Sequence, residues 1–224
     1  MAGVTFNAHG KLYIVAVCGL PGAGKSTVLR ELSSLMSVRL LSEHASSAAV
    51  DAIHWSLGER IPEPAGRAFT TTAFVLEEYR MALEVAVQGW EGIVVRDRGL
   101  EDTRYVAETL GARQVLPPSV VTALSHPALL HADLSVLLVC DETIRRGRIA
   151  ARGRDRLARQ ESQRWEDEFG VGYVDWLLGN VRPVHTVDTS RASAPDIARQ
   201  VRRIIENNLW RADGFSGESA DARR

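Results

Sequence analysis

The sequence predicts an α/β protein, a three-layer sandwich in which a five-stranded parallel sheet is covered by helices on both faces. Three observations predict it. Five short apolar runs recur along the 224 residues, helical patterns fall between them, and the first run is joined to its helix by a glycine-rich turn, Gly19-Leu20-Pro21-Gly22-Ala23-Gly24-Lys25-Ser26-Thr27.

The runs that read as strands are Leu12 to Cys18, Val38 to Leu41, Gly92 to Val95, Leu134 to Cys140 and Val184 to Val187. After the first, Ser26 to Met36 places Val28, Leu29, Leu32 and Leu35 at helical spacing. Gly58 to Gly66, with Pro62 and Pro64, reads as a loop before a long helix from Phe69 to Gln88. Pro117-Pro118-Ser119 opens a short helix, and Asp141-Glu142-Thr143 caps another. The last helix, Ile197 to Leu209, carries Ile197, Val201, Ile204 and Ile205 on one face behind a cap region at Ala194-Pro195-Asp196. Residues 211–224 are small, polar and unpatterned and read as a disordered tail, so the expected domain is residues 1–210.

Composition excludes several functions. A formal net charge of -1 argues against a broad basic surface for nucleic acid. The two cysteines, Cys18 and Cys140, end apolar runs and read as small buried residues in a reducing compartment. No apolar stretch has the length of a signal peptide or a membrane span, so the expected protein is soluble and cytoplasmic, without a membrane partner.

The turn after the first strand carries the chemistry. Its Gly-x-x-x-x-Gly-Lys-Ser spacing is that of a P-loop, which makes the predicted sandwich a P-loop NTPase fold. Backbone N–H groups of Gly19, Gly22, Ala23 and Gly24 turn inward around phosphate oxygens at the positive end of the next helix. Lys25 reaches the β and γ phosphates, Ser26 places a hydroxyl on Mg²⁺, and Thr27 begins the first helical turn. Lys11 and Lys25 are the only lysines, so a lysine here is not background. The expected ligand is Mg-ATP.

In an open parallel sheet, ligands gather beyond the carboxyl ends of the strands, which brings forward the residues after each run. Asp97-Arg98 after the third run offers an acid to hold Mg²⁺ or take a proton from an acceptor hydroxyl, and a guanidinium to clamp a phosphate. The alternative is an Asp-Arg pair tying a loop to a helix end. Glu43 after the second run is a candidate acceptor contact or base, and His44 beside it reads as a surface residue. Arg145 to Arg164 contains eight arginines, against about two for an even spread, and reads as a cationic flap hinged at Gly147 and Gly153. Arg148, Arg152, Arg154 and Arg156 are its best candidates for phosphate contact, the alternative being a solvated helix paired with Glu161, Glu166 and Asp167. Trp55, Phe69, Phe74 and Tyr105 are the aromatic candidates for stacking on an acceptor base.

These residues resemble the thymidylate kinase branch of the P-loop nucleoside and nucleotide kinases, from Leu12 to about Leu209. The resemblance rests on the phosphate loop, Asp97-Arg98, the flap Arg148-Ile149-Ala150-Ala151-Arg152-Gly153-Arg154-Asp155-Arg156, Gln160-Glu161-Ser162 and Tyr173. It implies a kinase domain with an arginine-rich lid at about 145–164, flap arginines around the ATP phosphates, and Arg98 on the acceptor or transferring phosphate. It further implies an acceptor pocket beneath the long helix and a possible homodimer through that helix. Two positions depart from the family. Pro21 stands where bacterial thymidylate kinases often carry an acid for the sugar hydroxyl, and Ala73-Phe74-Val75 stands near an expected arginine. Related deoxynucleoside kinases place a glutamate after the second strand, which Glu43 imitates. The expected activity is transfer of the γ-phosphoryl group of ATP to a nucleoside or nucleoside monophosphate. The alternatives are a kinase of another hydroxylated metabolite or an acceptor-free regulatory ATPase. A GTPase is disfavoured, because no Asn-Lys-x-Asp sequence is present.

Overall fold

In a computed structural model of the chain, residues 12–41, 65–151, 163 and 165–212 are described. Five strands form one parallel sheet: β1 (Leu12–Cys18), β2 (Arg39–Leu41), β3 (Gly92–Asp97), β4 (Leu134–Val139) and β5 (Val184–Asp188), in the order β2-β3-β1-β4-β5. The described helices are α1 (Lys25–Leu35), α2 (Ala65–Val87), α3 (Leu100–Ala112), α4 (Pro118–Ala123), α5 (Glu142–Ala151), α6 (Tyr173–Asn180) and α7 (Ala194–Ala212), with a π-helical turn at Glu166–Gly170 before α6.

β1 lies at the centre of the sheet and is buried on both sides, which explains its unbroken apolar sequence. Its side chains alternate. Ile14, Ala16 and Cys18 join a core with Val75, Met81, Leu110, Tyr173 and Leu177 from α2, α3 and α6. Tyr13, Val15 and Val17 join a second core with Val28, Leu32, Val201 and Ile205 from α1 and α7. Period-two alternation on a central strand therefore feeds two helical layers, the sandwich that the pattern predicts.

The differences lie at element ends and in the helices of weak periodicity. α2 begins at Ala65, so Gly66 lies inside the helix rather than in the preceding loop; residues 58–64 fall outside the described residues. α7 runs past Leu209 to Ala212, and 213–224 lie outside the described residues. α3 carries no strong apolar signature, because Glu101, Asp102 and Thr103 occupy buried positions in its first turn. Its start is set locally: the amide of Gly99 donates to Asp102 Oδ2 at 3.1 Å, and the Asp102 amide donates back to the Gly99 carbonyl at 3.2 Å.

One buried ion pair ties the sheet to the long helix. Arg96 on β3 and Glu78 on α2 are 3% and 0% exposed, and Arg96 Nη2 donates to both Glu78 oxygens at 2.7 and 3.0 Å. Thr103 donates to the same carboxylate, and Arg96 Nη1 donates to the Leu130 carbonyl. The pair fixes the strand position that immediately precedes Asp97.

Candidate active site

The turn from β1 into α1 is shaped by glycine where nothing larger fits. Gly19 and Gly22 hold φ of 146° and 83°, conformations rare for any residue with a Cβ. A Cβ on Gly19 would lie 2.6 Å from the Leu138 carbonyl, and one on Gly22 would lie 2.7 Å from the Arg145 carbonyl. Gly24 is the N-cap of α1 and no side chain caps the helix, so the leading amides are left to an anionic ligand. Lys25, only 7% exposed, folds back beneath the loop and donates from Nζ to the Gly19 and Leu20 carbonyls at 2.8 and 3.4 Å.

Parallel pairing of β1 with β3 sets Val17 against Asp97, which delivers the acid to the mouth of this loop. Ser26 Oγ donates to Asp97 Oδ2 at 2.8 Å. A hydroxyl and a carboxylate beside the loop lysine are hard oxygen donors of the kind magnesium takes when phosphate oxygens and water complete its shell. Asp97 and Ser26 therefore fit the ion and would hold it. The next residue, Arg98, adopts a left-handed backbone with φ of 65° while its amide donates to the Val17 carbonyl at 3.1 Å. Such a conformation costs of order 1–3 kcal/mol in a non-glycine residue and persists only where its surroundings impose it. The Arg98 guanidinium lies over the Trp165 ring, 5.1 Å from its centroid, and Trp165 packs edge-on against Tyr173.

Two arginines of α5 embrace the loop from the other side. Arg148 donates to the hydroxyl and carbonyl of Thr189 at 3.3 and 2.7 Å and approaches Cys140 Sγ at 3.5 Å. Its guanidinium lies 3.7 Å from where a Gly24 Cβ would stand, against the start of α1. Arg145 is buried, donates to the Pro21 carbonyl at 3.1 Å and forms a two-pronged ion pair with Glu166. The Arg145 hydrogen bonds hold the Glu166 carboxyl below its ordinary range, and the same bonds raise the guanidinium. The first arginine of the cationic segment thus supports the loop from within the protein: it pairs with Glu166, one of the acids of the alternative reading, but is buried rather than solvated.

The sequence matches an AAA domain family profile over residues 15–167. The chain belongs to the AAA domain family. No curated protein sequence matches it significantly. Among solved structures, this AAA domain is similar to deoxyadenosine kinase from M. mycoides with the products dCMP and a flexible dCDP bound. The TM-score is 0.62 at 16% identity, over 87% of this chain and 99% of that one. It is also similar to thymidylate kinase from Candida albicans, with a TM-score of 0.65 at 17% identity over 88% of this chain and 92% of that one. The M. mycoides enzyme with bound dCTP aligns at a TM-score of 0.59 and 14% identity, over 87% and 99% of the two chains. The P-loop sandwich predicted from the sequence is thus the fold of nucleoside and nucleotide kinases.

Within this AAA domain, the structure brings Gly19, Gly22, Ala23, Gly24, Lys25, Ser26, Thr27, Asp97, Arg98 and Arg148 to one rim of the sheet. Glu43, Trp55, Arg152, Arg154 and Arg156 lie outside the described residues, as do Gln160, Glu161 and Ser162. Tyr105 takes a different place from an open stacking platform: it is buried, and its hydroxyl is shared between the Phe169 and Val171 carbonyls at 2.8 and 2.9 Å. Phe74 is half-buried on α2. Residue-level reading overlooked Trp165 and Asp102. A Gly-x-x-Asp pattern directly after Asp97-Arg98 is the sequence signal for the second. Among the described residues, no helix is long and apolar enough to cross a membrane.

Proposed function

We propose that this protein is an Mg-ATP-dependent cytoplasmic kinase that transfers the γ-phosphoryl group to a hydroxyl or phosphate oxygen of a nucleoside or nucleoside monophosphate. One observation carries the reading: adjacent parallel strands bring Lys25 and Ser26 of the phosphate loop against Asp97-Arg98, on the rim where such sheets bind ligands. The deoxyadenosine and thymidylate kinase folds support the same class of acceptor.

Phosphoryl transfer asks a protein mainly for position and charge, and each residue has a place in that task. Loop amides and the N-terminus of α1 cradle the donor phosphates. Lys25 exchanges its Gly19 carbonyl partner for β- and γ-phosphate oxygens. Ser26 and Asp97 would hold magnesium, which would supply positive charge against the donor phosphates. Arg98, fixed by its backbone and by Trp165, faces the incoming acceptor or the group in transfer. Arg152 and Arg156 are proposed to close over the transferring group and Arg154 to join Arg148 on the ATP side, with Glu43 and Phe74 as acceptor-side candidates and Tyr105, buried against the Phe169 and Val171 carbonyls, set aside. A second copy is the proposed partner of α2, where Phe69, Leu76 and Leu83 recur every seven residues. Leu76, Leu83 and Val87 are 66%, 64% and 77% exposed there.

The deciding experiment measures ADP release from Mg-ATP with nucleosides, nucleoside monophosphates and no acceptor, with Lys25→Ala as the blank. Release that requires one acceptor class, and is abolished by Lys25→Ala in a folded protein, is the expected result. Equal release without acceptor would refute the kinase reading in favour of a regulatory ATPase.

A further inference from the structure

We infer that Tyr173 is a positioning residue for phosphoryl transfer, acting on Lys25 through residue Gly19, whose amide it binds and whose carbonyl holds the lysine; the inference rests on the kinase reading above. A continuous line of hydrogen bonds carries it. The Tyr173 hydroxyl donates to Asp102 Oδ1 at 2.5 Å and accepts the Gly19 amide at 3.3 Å. On the other side of the same residue, the Gly19 carbonyl accepts Lys25 Nζ at 2.8 Å. Asp102 turns its second oxygen to the amide of Gly99, the residue after Arg98. One phenol therefore ties the peptide before Gly19, whose own carbonyl holds Lys25 one peptide further on, through Asp102 to the peptide that follows Arg98.

The β1–β3 ladder sets Val17 against Asp97, and the Tyr173 bonds extend that alignment past the strand ends: Gly19 and Tyr173 are 154 residues apart and Tyr173 and Asp102 are 71 apart, so these ties are tertiary. Gly19 itself supplies little rigidity, because a glycine has no Cβ to restrict its backbone. Its amide is buried with the Tyr173 hydroxyl as acceptor. Tyr173 is wholly buried, and its ring is held edge-on by Tyr105 and Trp165 at 5.3 and 5.4 Å. The latter ring also underlies Arg98, so the aromatic cluster touches the arginine as well as the loop. Burial first, and the neighbouring Asp102 second, keep the hydroxyl protonated far above its ordinary range, so it remains a donor to Asp102 throughout the working pH of an enzyme.

The test uses the full chain and Tyr173→Phe, which keeps the ring and removes both hydrogen bonds. Tyr79→Phe serves as control, since it deletes a phenol hydroxyl bonded to the Ala123 carbonyl between α2 and α4. Two readouts are taken: kcat and KM of acceptor-dependent ADP release, corrected for folded fraction, and the phosphorus NMR resonance of the β-phosphate of bound Mg-ADP. Tyr173→Phe is expected to lower kcat roughly ten- to a hundredfold with little change in KM for ATP. It is also expected to move the β-phosphate resonance, while Tyr79→Phe matches the wild type in both. A Tyr173→Phe protein with wild-type kcat and resonance, even one of lowered melting temperature, overturns the proposal. Wild-type protein that binds Mg-ADP but shows no acceptor-dependent turnover overturns the kinase reading alone, and the resonance then decides whether Tyr173 sets the loop. Wild-type protein that binds no Mg-ADP overturns both.

Discussion

Glu78→Gln should be among the most damaging single changes outside the candidate site. The substitution keeps the shape of the side chain and removes its charge, leaving the Arg96 guanidinium, 3% exposed, without its counter-ion. Stranding one member of a buried pair costs about 3–5 kcal/mol, a large part of the roughly 5–15 kcal/mol that holds a domain folded. At about 2–4 °C per kcal/mol for a chain of this size, the melting temperature should fall by roughly 6–20 °C. Replacing both partners, Arg96→Met with Glu78→Leu, removes the charge problem together with the charge. It still leaves Thr103 and the Leu130 carbonyl without their present partners, at about 1–3 kcal/mol for each such group. The double variant should thus lose less than the sum of the two single variants, with a clear positive coupling in the mutant cycle. Equilibrium urea unfolding of wild type, Arg96→Met, Glu78→Leu and the double variant measures the coupling, with Glu78→Gln unfolded beside them. Single variants costing below about 1 kcal/mol, or a double variant at least as damaged as the sum of the singles, would refute the reasoning.

Glu101 offers a pH test. Burial raises its carboxyl above the ordinary value of 4.5, and Oε2 makes no hydrogen bond among the described residues. The folded state then holds a proton that the unfolded state releases, so wild-type stability declines as pH rises from about 4.5 through the raised value. Glu101→Gln should remove this decline, and its stability relative to wild type should grow across that window and level off above it. A pH-independent difference in thermal denaturation would contradict the assignment. For the proposed dimer, Leu76→Glu with Leu83→Glu should convert the sedimentation coefficient from dimer to monomer. A monomeric wild type at tens of micromolar, or an unchanged dimer in the variant, would sink it.

What could be read from the sequence was whatever local periodicity encodes. The run Leu12–Cys18, its glycine turn and the 3.6-residue spacing of Val28, Leu29 and Leu32 announce strand, loop and helix because each step changes the period within a few residues. Asp97-Arg98 is singled out by its place after the third run, since open parallel sheets gather ligands beyond their strand ends. The relation of Arg96 to Glu78 is not, since it exists only once α2 has packed on β3. Even so, an arginine within the Gly92–Asp97 strand, beside Ile93, Val94 and Val95, signals a buried partner elsewhere. Arg145 looked like the rest of the cationic segment by composition, and only tertiary structure separates it by turning it inward to Pro21 and Glu166. The start of α2 was misplaced because Gly66 reads as a loop residue, whereas packing carries the helix through it.

The buried lysine under the phosphate loop has a chemical consequence. Only two lysines exist in the whole chain, and Lys25 is shielded by the Gly19 and Leu20 carbonyls. An amine-directed acylating reagent therefore meets almost no competing targets. A nucleotide analogue that delivers its acyl group at the phosphate end should mark one tryptic peptide, and the loss of that mark under excess Mg-ATP turns the scarcity of lysine into an occupancy gauge for the site.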